Sequence, residues 1–128
     1  MVKGSCMCGQ TTYDYTGEYK VFTSGADRSM NLMIPNGSVT VTPGSPVKFT
    51  SRKGDSGGDL VYHMCEKCGS IMFSEPKASP EVLFLKIGLI DDKEFLDSLG
   101  TPKLDVYCKY LWAWEKPIEG ATAQQALG

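Results

Sequence analysis

Two close pairs of cysteines, Cys6-Met7-Cys8 near the start and Cys65-Glu66-Lys67-Cys68 in the middle, constrain this chain more than any other feature. Residues i and i+2 of an extended segment project to the same side, so C-x-C can offer two thiolates together. A C-x-x-C turn followed by Gly69 lets the chain curl around a metal, with glycine taking the positive φ that closes the turn. Brought together, Cys6, Cys8, Cys65 and Cys68 make the four-thiolate tetrahedron that structural zinc prefers. Such a site contributes on the order of 10 kcal/mol of folding free energy in small modules. Two other readings stay open: four ordinary buried thiols, or a redox C-x-x-C. A redox motif normally opens a helix after a strand, whereas here the chain runs on into the β-like Ser70-Ile71-Met72-Phe73-Ser74.

Length explains why a staple would matter. The 128 residues predict a single domain spanning 1–128, and a domain of this size leaves about a third of its unfolded surface exposed. A formal net charge of −2 excludes a basic surface able to drive nucleic-acid binding, and there is no polybasic signal for membranes. The longest apolar stretch, Val82 to Ile90, is broken by Lys86 and Gly88 and falls far short of a membrane span. No apolar run follows Met1-Val2-Lys3, so no secretory signal is expected. Five cysteines, an odd number, argue against a disulfide framework and for a reducing, cytoplasmic location.

Short β-like runs recur at Thr11–Tyr15, Tyr19–Thr23, Met30–Ile34, Ser38–Thr42, Val47–Ser51, Asp59–Met64, Ser70–Ser74, Val82–Ile87 and Leu104–Tyr110. Turn signals separate them, among them Pro35-Asn36-Gly37 and Pro43-Gly44-Ser45-Pro46. This pattern predicts a mainly β fold with little helix. One short helix is expected at Asp91–Leu99, where Asp91-Asp92 could cap and Phe95, Leu96 and Leu99 share a face. The small, polar stretch from Gly120 to Gly128 reads as a loose tail.

Several of these residues fit one pattern. Gly4-Ser5-Cys6-Met7-Cys8-Gly9, Met33-Ile34-Pro35, Cys65-Glu66-Lys67-Cys68-Gly69-Ser70 before Glu75-Pro76, Lys86-Ile87-Gly88 before Leu89-Ile90-Asp91-Asp92, and a late Trp114 with Pro117 occur in order. Over residues 4–122 the chain resembles the glutathione-dependent formaldehyde-activating enzyme family, which includes the centromere protein V-like proteins. The resemblance implies a zinc β-tent of small antiparallel sheets, with one structural zinc on Cys6, Cys8, Cys65 and Cys68. It also implies carbon–sulfur lyase chemistry at a second, catalytic zinc held by a middle C-x-C-x-x-C motif. That motif is missing: the six residues from Glu18 to Thr23, between Gly17 and Ser24-Gly25, include no cysteine. The catalytic zinc is therefore expected to be absent, and with it the ligands a Lewis acid needs.

What could act in its place is a set of polar and aromatic side chains near the deleted motif. Asp27 could serve as an acid or base and Arg28 as a clamp on a developing oxyanion; both could equally belong to a solvated turn. His63 could be a general base, a partner to a metal-bound thiolate, or a strand histidine with neither role. Phe22, Ser24, Ser29, Tyr62, Tyr107 and Trp112 are candidate pocket residues, with core packing the default for the aromatic ones. Trp112 and Trp114 lie two apart, so one is expected to pack inward. Cys108 reads as an inert half-buried thiol rather than a nucleophile. The expected reaction is a metal-free elimination, isomerisation or cyclisation of a small organic molecule, such as a secondary-metabolite intermediate. The rival expectations are a non-catalytic binding module and an authentic lyase with an unusual second metal site. Oligomeric state stays open, a homodimer included.

Overall fold

Alternation of apolar and polar residues becomes strand almost throughout. The computed structural model describes residues 2–24, 29–42, 47–50, 59–106, 108 and 111–124. Strands β1 (Val2–Ser5) and β2 (Thr12–Tyr15) form an antiparallel pair, and β5 (Thr40–Thr42) adds to β2 to complete a three-stranded sheet. The second sheet takes in β3 (Lys20–Ser24), β4 (Ser29–Pro35), β6 (Val47–Thr50), β7 (Leu60–Met64) and β8 (Ile71–Pro76). It is completed by β9 (Val82–Lys86), β10 (Leu104–Val106) and β11 (Thr122–Ala123), in the order β11-β10-β3-β4-β9-β8-β7-β6. Helix among the described residues is a 3-10 turn at Ile87–Leu89, a 3-10 position at Cys108 and α1 (Lys93–Ser98). Asp92 caps α1 by accepting the Phe95 N–H at 3.0 Å, the role expected of the Asp91-Asp92 pair. None of the described helices is long and apolar enough to cross a membrane.

The mainly β fold with little helix is therefore present, with three differences from the expectation. One sheet is large, and it is mixed, because β10 runs parallel to both β3 and β11. A parallel partner needs a crossover, and the segment carrying α1 supplies it between β9 and β10. Strand β1 was not legible, since Lys3 and Gly4 carry no β propensity of their own. The stretch from Gly120, expected to be loose, is tied down as far as Gln124. There Thr122 N–H donates to Lys103 O, Gln124 N–H to Asp105 O, and Cys108 N–H to Gln124 O.

The two faces of the large sheet bury different things. One face packs Val21, Leu32, Ile34, Leu83 and Leu85 against Val2, Tyr13 and Tyr15 of the small sheet, with Phe95, Leu96 and Leu99 closing the edge. Leu32 and Leu85 are fully buried, and each such side chain stabilises the fold by about 1.5–3 kcal/mol. The opposite face carries a smaller cluster of Phe22, Phe84 and Val106, flanked by Met33, Val82 and Leu104. Asp105, 0 % exposed, knits β3 and the final segment together: its Oδ1 accepts the Thr23 hydroxyl and its Oδ2 the Ile118 N–H, each at 3.1 Å.

Gly4 shows why the first motif opens on a glycine. It sits opposite Tyr13 in the β1–β2 pair, and a Cβ built there would lie 2.2 Å from Tyr13 Cζ. The ring occupies that space, and its hydroxyl donates to Lys86 O at 3.2 Å, joining the two sheets. Gly4→Ala should lower stability by about 1–3 kcal/mol through overpacking, measured by denaturant unfolding. Gly88→Ala, where a Cβ meets nothing within 4 Å, should change it by less than about 0.5 kcal/mol.

Candidate functional site

Each cysteine pair is built by a tight turn at the end of a hairpin. In the first, Cys6 N–H donates to Thr11 O and Gly9 N–H to Cys6 O; in the second, Cys65 N–H donates to Ser70 O and Gly69 N–H to Cys65 O. Gly9 and Gly69 have φ of 81° and 76°, the left-handed region that only glycine enters without strain. The C-x-C pair thus lies in a turn rather than on an extended strand, and its side chains converge by chain reversal. Bonds cross between the two turns: Met7 N–H donates to Ser70 Oγ at 3.1 Å and Gln10 Nε2 to Glu66 Oε1 at 3.4 Å.

The result is that the sulfurs of Cys6, Cys8, Cys65 and Cys68 all lie within 4.8 Å of one another. Cys6 Sγ to Cys8 Sγ is 3.5 Å, and Cys8 Sγ to Cys65 Sγ is 3.8 Å. A tetrahedral ion with bonds of about 2.3 Å to sulfur has edges of about 3.8 Å, so the donor set fits one such ion. Backbone N–H groups already point at the sulfurs, Thr11 N at 3.3 Å from Cys6 Sγ and Lys67 N at 3.4 Å from Cys65 Sγ. The Ser70 hydroxyl, Ser70 N–H and Cys8 N–H hold the Cys68 thiol down to about 5. Cys8 goes the other way: the Gln10 N–H favours its thiolate, yet desolvation and the three neighbouring thiols push it up to about 11. Four thiols this close cannot all ionise together without a cation, and a divalent ion removes that conflict.

A second arrangement lies on the sheet face opposite the main core. Cross-strand pairing places Tyr62 beside Ser74, Ser74 beside Phe84, Asn31 beside Lys86, and Phe22 beside Asn31. Phe22 and Phe84 meet edge to face at 5.0 Å, and Tyr62 stacks on Phe49 at 6.4 Å. Within this apolar setting Asn31 and Ser74 are buried polar side chains. Asn31 Nδ2 donates to Ser29 O at 2.9 Å, and Lys86 Nζ donates to Ser29 Oγ at 3.4 Å. Burial lowers the Lys86 pKa below its ordinary value.

Of the residues singled out in the sequence, Phe22 and Ser29 lie on neighbouring strands of this face, with Ser24 placed beside Ser29 by backbone pairing, whereas Tyr62 lies on the same face on β7, with β4, β9 and β8 between it and Phe22. Asp27, Arg28 and Tyr107 lie outside the described residues. His63 alternates with Tyr62 and so faces the other side, where it stacks on Phe73 at 4.3 Å and its Nε2 meets Glu75 Oε1 at 2.6 Å. Desolvation lowers the pKa of His63 although Glu75 favours its charged form, so a neutral imidazole donating to a carboxylate describes the pair. Trp112 and Trp114 are both exposed, 57 % and 78 %, which corrects the expectation that one packs inward. The reason is local: Glu115 N–H bonds to Trp112 O in a turn, so strand alternation does not apply there. Cys108 is half-buried and donates to Asp105 O at 3.3 Å. Asn31, Ser74 and Lys86 were missed as site residues. The one available signal was a charge at Lys86 inside an otherwise apolar run.

Removal of a single ligand tests the metal centre. Cys65→Ser or Cys68→Ser should abolish metal retention and lower the melting temperature by well over 10 °C, whereas Cys108→Ser should change neither by more than a few degrees. A melting curve and metal content left unaltered by Cys68→Ser would defeat the assignment.

Comparison with known proteins agrees with this geometry. A crystal structure of a Rhodobacter sphaeroides protein superposes with a TM-score of 0.54, covering 73% of this chain and 94% of that one at 14% identity, which supports the fold alone. No curated protein matches the chain. Residues 1–110 match the sequence profile described as glutathione-dependent formaldehyde-activating enzyme. With most of its length matched and the four cysteines assembled, the chain belongs to the glutathione-dependent formaldehyde-activating enzyme family.

Proposed function

We propose that this protein is a zinc-stapled enzyme that converts a small organic molecule on the sheet face carrying Phe22, Asn31, Phe84 and Ser74. The observation that carries the reading is that face itself: a second apolar cluster in which Asn31 and Ser74 are buried polar groups, with half-buried Lys86 and exposed Ser29 at its edge. Ligand sites for small molecules are commonly built this way, with few polar groups fixing orientation in an apolar surround. Membership of an enzyme family supports catalysis. The family's carbon–sulfur lyase step needs a second metal, and the chain has no middle cysteine motif to hold it. Among the described residues one group of metal-ligating side chains converges, and it consists of Cys6, Cys8, Cys65 and Cys68.

Those four residues would hold zinc, which supplies a cross-link between two hairpins when bound. The chemistry then falls to the chain's own groups. Phe22 and Phe84 would exclude water and fix the substrate's carbon skeleton. Asn31 and Ser29 would orient an oxygen function, and Lys86 would hold or move a proton at Nζ. Positioning a reactive conformer in this way suits an elimination, isomerisation or cyclisation, where no co-substrate is needed. The five free thiols suit a reducing compartment such as the cytoplasm.

Metal analysis of the purified protein should return one zinc per chain, and two per chain would support a rebuilt lyase site instead. Screening small oxygenated organic molecules by thermal denaturation should find ligands that raise the melting temperature, by an amount equivalent to about 2.7 kcal/mol at a hundredfold excess over Kd. Ligands that stabilise the protein but are recovered unchanged would favour a binding module over an enzyme.

A further inference from the structure

Lys86 differs from every other described lysine in being half-buried rather than exposed. It ends a strand whose neighbours on the same face are Val82 and Phe84, both part of the small apolar cluster. The described ion pairs are Lys3–Asp14, His63–Glu75, Lys77–Glu75 and Lys93–Asp97, so no described carboxylate neutralises Lys86. What it has is a hydroxyl: Nζ lies 3.4 Å from Ser29 Oγ, which in turn lies 3.5 Å from Asn31 Oδ1. Asn31 is the direct cross-strand partner of Lys86 and is itself buried. With no counter-ion among the described residues and an apolar cluster beside it on the same strand, Lys86 is shifted toward the neutral amine, which is a nucleophile toward carbonyl carbon.

We propose that Lys86 is the attachment point for a carbonyl-bearing small molecule, forming an imine with an aldehyde or ketone substrate. The inference rests on the small-molecule reading of this face and narrows it to one substrate class. In the first step the Nζ lone pair forms a C–N bond to the carbonyl carbon while the C=O π pair moves to oxygen. A proton passes from nitrogen to that oxygen, with the Ser29 hydroxyl placed to relay it, giving a carbinolamine. Loss of the hydroxyl with one further proton releases water and leaves the protonated imine, so amine plus carbonyl gives imine plus water with no change in oxidation state. The positive imine nitrogen withdraws electrons from the former carbonyl carbon and acidifies the C–H of the carbon next to it, which is what an elimination or isomerisation requires.

The test uses the full-length, metal-loaded protein, benzaldehyde as the probe and cyanoborohydride as the hydride donor that reduces any imine to a stable benzylamine. Peptide mapping at pH 7 should find Lys86 labelled at least tenfold faster than Lys20, Lys103 or any other lysine. Lys86→Arg keeps the positive charge but cannot form an imine, so it should remove that fast label while metal content and melting temperature stay unchanged. Labelling at Lys86 no faster than at the exposed lysines would overturn the proposal. If small molecules still raise the melting temperature in that case, the imine alone is wrong. If none does, the small-molecule reading of the face falls with it.

Discussion

Closing the chain between Cys8 and Cys65, positions 57 residues apart, is the constraint on which the rest of this architecture depends. Joining distant points costs conformational entropy that grows slowly with loop length, so one strong closure is a favourable way to organise a small β domain. Each hairpin turn fixes its own pair of sulfurs through local hydrogen bonds, which leaves a single long-range step. The same step brings the three-stranded sheet against the eight-stranded one. A second, purely polar latch lies close by: Ser5 donates to both carboxylate oxygens of Asp91 at 3.1 and 2.8 Å, and Asp91 N–H donates to Lys3 O. That latch gives Ser5 and Asp91, two of the family landmarks, a direct structural reason.

On the proposed reading, the large sheet separates stability from chemistry by its two faces. The face toward β1 and β2 holds the main core, and His63 with Glu75 belongs to that side. The other holds a smaller cluster edged by polar groups, where substitution would disturb fewer packing partners. Fold alone does not dictate what such a face binds, which is why the reading rests on Asn31, Ser74 and Lys86 rather than on ancestry.

Much of this was legible in the sequence, and the reasons are physical. The cysteine spacing and trailing glycines predicted the metal centre because only a few local geometries let two thiols converge. Strand runs were legible where Val, Leu, Phe and Tyr cluster between turn signals, as at β7 and in the continuous apolar run of β9. Strand β1 was not, because its pairing with β2 depends on the Tyr13 ring lying over Gly4, a contact between distant residues. The tie between Thr122 and Lys103 was hidden for the same reason. At the candidate face, the sequence drew attention to Phe22, Ser29 and Tyr62 through their nearness to a deleted motif or their strand position. Asn31 and Ser74 carry no such signal: an asparagine or serine in a strand says nothing of its burial until the opposite strand is known. Trp112 was misjudged because strand alternation was extended past the point where the chain turns.

The four-cysteine cluster is also lopsided. Cys6 and Cys65 are buried, while Cys8 and Cys68 are exposed. An oxidant arriving from solvent would therefore meet one sulfur from each hairpin before it reached the inner two. With an ion bound there, converting either outer thiolate to a sulfenic acid would remove one of its ligands and loosen both turns together. Peroxide stress would then register first as a loss of tertiary order, well before any damage to the apolar interior.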